Sequence, residues 1–66
     1  MKIFIEEEYF DDVKDIAKTL GLLGRVKVEK LGDGAAVISG AQPDCERIMV
    51  EASNRKLDIG VIRKEA

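Results

Sequence analysis

The sequence predicts an α+β domain of the ferredoxin-like class, in which a four-stranded antiparallel sheet carries two helices on one face. Four short segments alternate apolar with charged residues, and two longer segments repeat apolar residues at helical spacing. Their order along the chain is β-α-β-β-α-β, and right-handed crossovers then place the first and third strands in the centre of the sheet. A length of 66 residues allows a single domain, over 1–66.

The first strand and the first helix follow from two apolar patterns near the N-terminus. Ile3 and Ile5 alternate with more polar neighbours, which predicts a strand over about 2–6. An apolar stripe at i, i+3, i+4 and i+7 predicts the helix that follows. The residues of this stripe are Val13, Ile16, Ala17 and Leu20. Gly21 supplies the C-terminal cap of the helix.

A turn at 32–34 joins the second predicted strand, around Val28, to the third, at 35–39. A type I turn followed by Gly34 in a left-handed bulge position is a common three-residue hairpin loop. This loop places Val28 opposite Ile38 and keeps the apolar residues of both strands on one face. A two-residue turn would shift the register and lose that match.

The second helix begins at Pro43, a residue favoured in the first helical turn. Its apolar stripe consists of Cys45, Ile48, Met49 and Ala52. Alternation over 57–62 then predicts the last strand. In this strand Val61 belongs to the core, and Ile62 points to the opposite, helix-free face.

The helix-free face of the sheet is the predicted interaction surface. The alternation places Phe4, Val37 and Ile62 at its centre, and Arg25 and Lys27 lie on its charged rim. An apolar centre with a charged rim is typical of a protein interface. We therefore expect a protein partner or a second copy of the chain to bind this face or an edge strand.

The segment Ile3-Phe4-Ile5 resembles the start of the first-strand motif of RNA-recognition motifs, with Phe4 at the position of a stacking aromatic. The resemblance implies an alternative function, nucleic-acid binding by the open sheet face with the two basic rim residues. Ala35 and Val37 stand where that family carries further aromatics. The pI of about 5.0 also disfavours binding to phosphate backbones.

Six of the 13 acidic residues fall within residues 6–15 and form an acidic cluster. They are Glu6, Glu7, Glu8, Asp11, Asp12 and Asp15. No calcium-loop spacing is present, so a solvated acidic edge is favoured over a metal site. The cluster could set partner choice by charge, or could make the chain an acidic decoy of a nucleic-acid-binding protein.

The composition disfavours enzyme chemistry. The chain has no His, a single Cys, no nucleophile motif and no phosphate-binding loop, which predicts a non-catalytic protein without a cofactor or a metal. No segment approaches the roughly 18 consecutive apolar residues of a membrane helix. Low cysteine usage and the absence of a signal-peptide pattern predict a small acidic cytoplasmic protein.

Overall fold

A computed structural model describes residues 1–66 and confirms the ferredoxin-like arrangement. The sheet is antiparallel throughout, in the order β2-β3-β1-β4, so β1 and β3 are central and β2 and β4 are edge strands. A 3₁₀ turn at Glu7–Tyr9 connects the first strand to the first helix. The elements are β1 (Lys2–Glu6), α1 (Phe10–Thr19), β2 (Val26–Lys30), β3 (Ala35–Gly40), α2 (Gln42–Asn54) and β4 (Val61–Glu65).

The core lies between the sheet and the two helices. Ile3 and Ile5 of β1 are buried because their side chains point to the helix side, as the alternation predicts. The buried cluster consists of Ile3, Ile5, Val13, Ile16, Ala17, Leu22, Val26, Ala36, Ile38, Cys45, Ile48, Ala52 and Ile59. Leu20 and Met49 from the predicted stripes are only partly buried and pack against the margin of this cluster.

The β2–β3 hairpin has the predicted register, with Val28 opposite Ile38, and the same register places Val37 opposite Glu29. Gly34 has a positive φ of 88°, also as predicted. The turn itself differs, because Gly32 has a φ of 84° where a type I turn needs about −60°. A loop with two left-handed glycines therefore makes the same register.

The last strand begins later than the alternation predicts. Residues 55–60 connect α2 to β4, which starts at Val61. Within this connection Lys56 and Gly60 have positive φ values of 59° and 58°. Val61 pairs with Ile5 but stays 40% exposed, so its predicted place in the core is wrong. The left-handed turn at residue 60 interrupts the extended backbone, and β4 pairs only beyond it.

Ion pairs connect the elements on the helix side of the molecule. Arg55, just after α2, pairs with Glu51 at 3.1 Å in the i, i+4 arrangement, and with Asp15 of α1 at 3.1 Å. These exposed pairs tie the two helices together and contribute little stability individually. Neither helix has the length and hydrophobicity needed to cross a bilayer.

Candidate interaction surface

Phe4 lies at the centre of the open sheet face because β1 is a central strand and residue 4 alternates with the buried Ile3 and Ile5. It is half-buried, with Val37 of β3 on one side and Arg63 of β4 on the other. The Arg63 guanidinium carbon lies 4.2 Å from the centre of the Phe4 ring, within cation–π distance. The aromatic face is therefore already partly covered by a side chain of the same molecule.

Val37 shares this face but is only 6% exposed. It lies opposite Phe4 on β1 and Glu29 on β2, so side chains of both neighbouring strands cover it. Our expectation of Val37 as an accessible contact residue needs correction, because its side chain supports Phe4 from within the sheet and offers little surface to a partner.

A shallow groove of about 270 Å³ opens beside Phe4, and we call it the open-face groove. Leu31 and Ile62 are its most exposed apolar residues, at 46% and 57%. The full lining is Phe4, Leu31, Asp33, Gly34, Ala35, Ile62 and Arg63. No helix or loop covers these side chains, and oppositely charged groups flank them at Asp33 and Arg63.

A β-bulge in β4 shapes one wall of the open-face groove. Phe4 pairs with Arg63 while the next residue, Ile5, pairs with Val61, so Ile62 is the extra residue of the bulged strand. Ile62 and Arg63 consequently both line the groove beside Phe4. The sequence prediction placed Ile62 on this face through simple alternation and did not anticipate the bulge or Arg63.

Leu31 is a groove residue that the sequence analysis missed. It immediately follows β2, and its N–H donates to the carbonyl oxygen of Ala35 at 2.9 Å. The signal was present in the sequence, because Leu31 continues the alternation of Lys27 and Glu29 and so belongs to the same face. Because Leu31 immediately precedes the predicted glycine turn, it was not counted as part of the strand.

The two basic rim residues lie in different surroundings. Arg25 precedes β2 and forms a two-pronged ion pair with Asp44 of α2, with N···O distances of 2.5 and 3.3 Å. This pair raises the pKa of Arg25 and holds its guanidinium toward the start of α2, so the predicted place of Arg25 on the sheet rim is wrong. Lys27 stays exposed on the open face, 3.6 Å from the Glu29 carboxylate.

The acidic cluster divides between the end of β1, the 3₁₀ turn and the first helix. Asp15 is engaged by Arg55, and Glu6 lies against Gly60. The Glu8 carboxylate, with smaller contributions from desolvation and other acids, raises the pKa of Tyr9 above its ordinary value of 10.0. No group of three or more His, Cys, Asp or Glu side chains is close enough to hold a metal ion.

The single thiol is not placed as a nucleophile. Cys45 is fully buried in the core, and burial raises the pKa of its thiol. A buried thiol with a raised pKa reacts slowly, because the thiolate is the reactive form. Its role in this fold is that of a small apolar core residue.

The chain matches no protein-family model, no curated protein and no solved structure. Its function is therefore inferred from its own surface. The open-face groove combines exposed apolar side chains, a sheet face beneath them and charges at the margin.

Proposed function

We propose that the chain is a small non-catalytic protein-interaction module and that the open-face groove is its contact surface. The observation that carries the proposal is the exposure of Leu31 and Ile62 on either side of Phe4, on a sheet face that no other element covers. Exposed apolar side chains grouped within a charged margin are typical of interfaces, whereas scattered ones are not.

The lining of the groove suits an apolar side chain of a protein partner, because exposed apolar residues lie between oppositely charged groups. An apolar anchor from a partner would pack against Ile62 and Leu31, and Asp33 and Arg63 would pair with charges beside that anchor. Such a buried anchor within a polar margin is the usual source of interface affinity.

Nucleic-acid binding by the same face is less well supported. A base would have to stack on Phe4, whose ring the Arg63 guanidinium already contacts. The other two aromatic residues, Tyr9 and Phe10, belong to the 3₁₀ turn and α1, so no second stacking platform supports Phe4. The positive charge of Lys27 on this face is neutralised by the nearby carboxylate of Glu29.

The test compares two apolar residues of similar exposure on opposite layers. Ile62→Asp places a charge in the open-face groove, and the control Val50→Asp places one on α2, where Val50 is 60% exposed. Each variant and the parent are immobilised, and proteins captured from the native cell extract are identified. We expect at least one partner to be lost with Ile62→Asp and retained with Val50→Asp.

A second variant probes the floor of the groove. Phe4→Ser should weaken the same association while the circular dichroism spectrum stays that of a folded protein, because Phe4 points away from the helices. Partners retained equally by Ile62→Asp, Phe4→Ser and the control would contradict the proposal. Captured nucleic acid, with an affinity that falls steeply as salt rises, would support the RNA-binding alternative instead.

A further inference from the structure

We propose that two copies of this chain associate through their β2 edges, antiparallel, into a continuous eight-stranded sheet with the two-fold axis at Val28. This interface uses the backbone of β2, whereas the open-face groove is centred on Phe4, and the proposal stands whether or not the groove binds a partner. The occupant is a second copy of the chain, and three features of the edge indicate it: the free backbone groups, the charge pattern, and the difference between the two edges of the sheet.

The backbone of β2 offers hydrogen-bonding groups at alternate residues. Leu31 donates to Ala35 of β3, and since antiparallel pairs alternate, Lys27 and Glu29 also direct their backbone groups to β3. Val28 and Lys30 therefore direct theirs outward. In agreement with this alternation, the N–H of Val26 turns away from β3 and donates to the carbonyl of Leu22 at 2.9 Å.

A two-fold axis at Val28 brings the outward-directed backbone N–H and C=O groups of one copy opposite those of the other. Val28 faces Val28 of the second copy, and the two residues can exchange a pair of hydrogen bonds. Lys30 faces Val26, so the Lys30 N–H of each copy can donate to the Val26 carbonyl of the other. The N–H of Val26 already donates to the Leu22 carbonyl of its own chain. The strand pairing between copies therefore ends at Val26.

The charges of β2 are complementary in this one register. With Val28 on the axis, Lys27 of each copy lies directly opposite Glu29 of the other, and opposite charges in facing positions stabilise a strand pair. Both side chains are exposed, at 73% and 50%, and are free to exchange their 3.6 Å contact within one strand for contacts between copies. A shift of one residue in the axis would oppose Lys27 to Lys27 or Glu29 to Glu29.

The other edge of the sheet is poorly suited to the same pairing. β4 contains the bulge at Ile62, and bulges discourage edge association. An axis at Arg63 or at Lys64 would place identical cations opposite each other. Pairing through β2 therefore closes on itself as a dimer and leaves protected β4 edges at both ends of the sheet.

The test uses charge reversal at two exposed positions. Lys27→Glu leaves carboxylates at both positions 27 and 29, and Glu29→Lys leaves ammonium groups at both. In a homodimer of either variant the facing side chains would therefore carry like charges and repel each other. We expect the dissociation constant of each single variant to rise by about tenfold or more over the parent value. The measurement is sedimentation equilibrium at low ionic strength, up to about 1 mM chain, where exposed charges are least screened.

Two experiments that restore opposite charges at the facing positions make the test specific to this register. The double variant Lys27→Glu with Glu29→Lys exchanges the charges and should dimerise like the parent. An equimolar mixture of the two single variants should form a heterodimer, because every facing pair in it is again of opposite charge. A variant that simply unfolds could not be rescued by mixing.

Amide hydrogen exchange supplies an independent readout. The amides of Val28 and Lys30 should exchange rapidly at low concentration and slowly in the dimer, whereas those of Lys27 and Glu29 are protected by β3 throughout. A parent that is monomeric over the whole range, or single variants that dimerise like the parent, would overturn the proposal. Dimers lost with Ile62→Asp but unaffected by charge reversal would instead assign self-association to the open-face groove.

Discussion

Replacement of Gly40 by Ala should destabilise the fold by crowding the junction of β2 and β3. A Cβ atom at residue 40 would lie 2.9 Å from the Val26 Cγ1, 3.1 Å from the Arg25 carbonyl oxygen and 3.3 Å from the Val26 Cα. Two of these three contacts are backbone atoms, so the strands must move apart locally. Overpacking of this kind costs about 1–3 kcal/mol.

Part of that cost is offset in the unfolded chain. Ala reduces the entropy of the unfolded state relative to Gly, which contributes about 0.4–1 kcal/mol to stability. We therefore expect Gly40→Ala to lower the free energy of unfolding by about 1–2 kcal/mol. Gly24→Ala is the matched control, since its Cβ would meet no heavy atom within 4 Å and its φ is not left-handed. The control should keep or raise the stability, by up to about 1 kcal/mol.

Urea unfolding followed by far-ultraviolet circular dichroism measures both variants against the parent. The comparison is valid if the dependence of the unfolding free energy on urea stays the same. A Gly40→Ala protein as stable as Gly24→Ala would refute the reasoning, because it would mean that the close approach of residue 40 to Val26 imposes no constraint.

Three further predictions concern the turn, the core and alkaline pH. Gly34→Val should cost about 1–2 kcal/mol or more in urea unfolding, because a φ of 88° strains any β-branched residue, and an unchanged midpoint would contradict it. Ile48→Ala should cost about 2–5 kcal/mol, and Met49→Ala clearly less, because only Ile48 is fully buried; equal losses would place Met49 in the core. Absorbance titration of Tyr9 should give a pKa above 10.0, and this pKa should be lower in the Glu8→Gln variant, which lacks the neighbouring negative charge. Since the unfolded chain releases this proton first, stability should decline as the pH rises through the folded pKa.

The sheet could be predicted from the sequence because its register is overdetermined. In β2 and β3 a shift of one residue would move every apolar side chain to the wrong face, so the pairing of Val28 with Ile38 follows from the pattern alone. The turn conformation did not follow, since a glycine at residue 32 permits a left-handed backbone without requiring one.

The start of β4 could not be predicted by the same reasoning. Residues 57–62 alternate as a strand does, yet Ile59 fills the core from a connection and the strand begins only after Gly60. The Glu6 N–H donates to the Gly60 carbonyl at 3.1 Å, and this contact with β1 fixes the point where pairing begins. It joins residues far apart in the chain, so no local pattern reports it.

The candidate site was predicted in part for a related reason. Phe4 and Ile62 follow from alternation on their own strands, but their surroundings depend on neighbours in space. The ion pair of Arg25 with Asp44 joins residues 19 apart, and the cover over Phe4 comes from Arg63, beyond the predicted end of the last strand. Side-chain pairs of this kind exist only once the fold has formed.

If both proposals hold, the dimer should bind a two-site partner more tightly than one chain does. A two-fold axis at the β2 edge is perpendicular to the sheet and leaves both open-face grooves on the same side. Five strand spacings of about 4.8 Å separate the two β1 strands, so the two Phe4 positions lie roughly 24 Å apart across the strands. A partner carrying two apolar anchors at that separation would gain from the high effective concentration of the second site. Lys27→Glu should then weaken binding of a bivalent partner identified through Ile62, while the mixture with Glu29→Lys retains it. Equal binding by the monomeric variant and the parent would show that each groove acts alone.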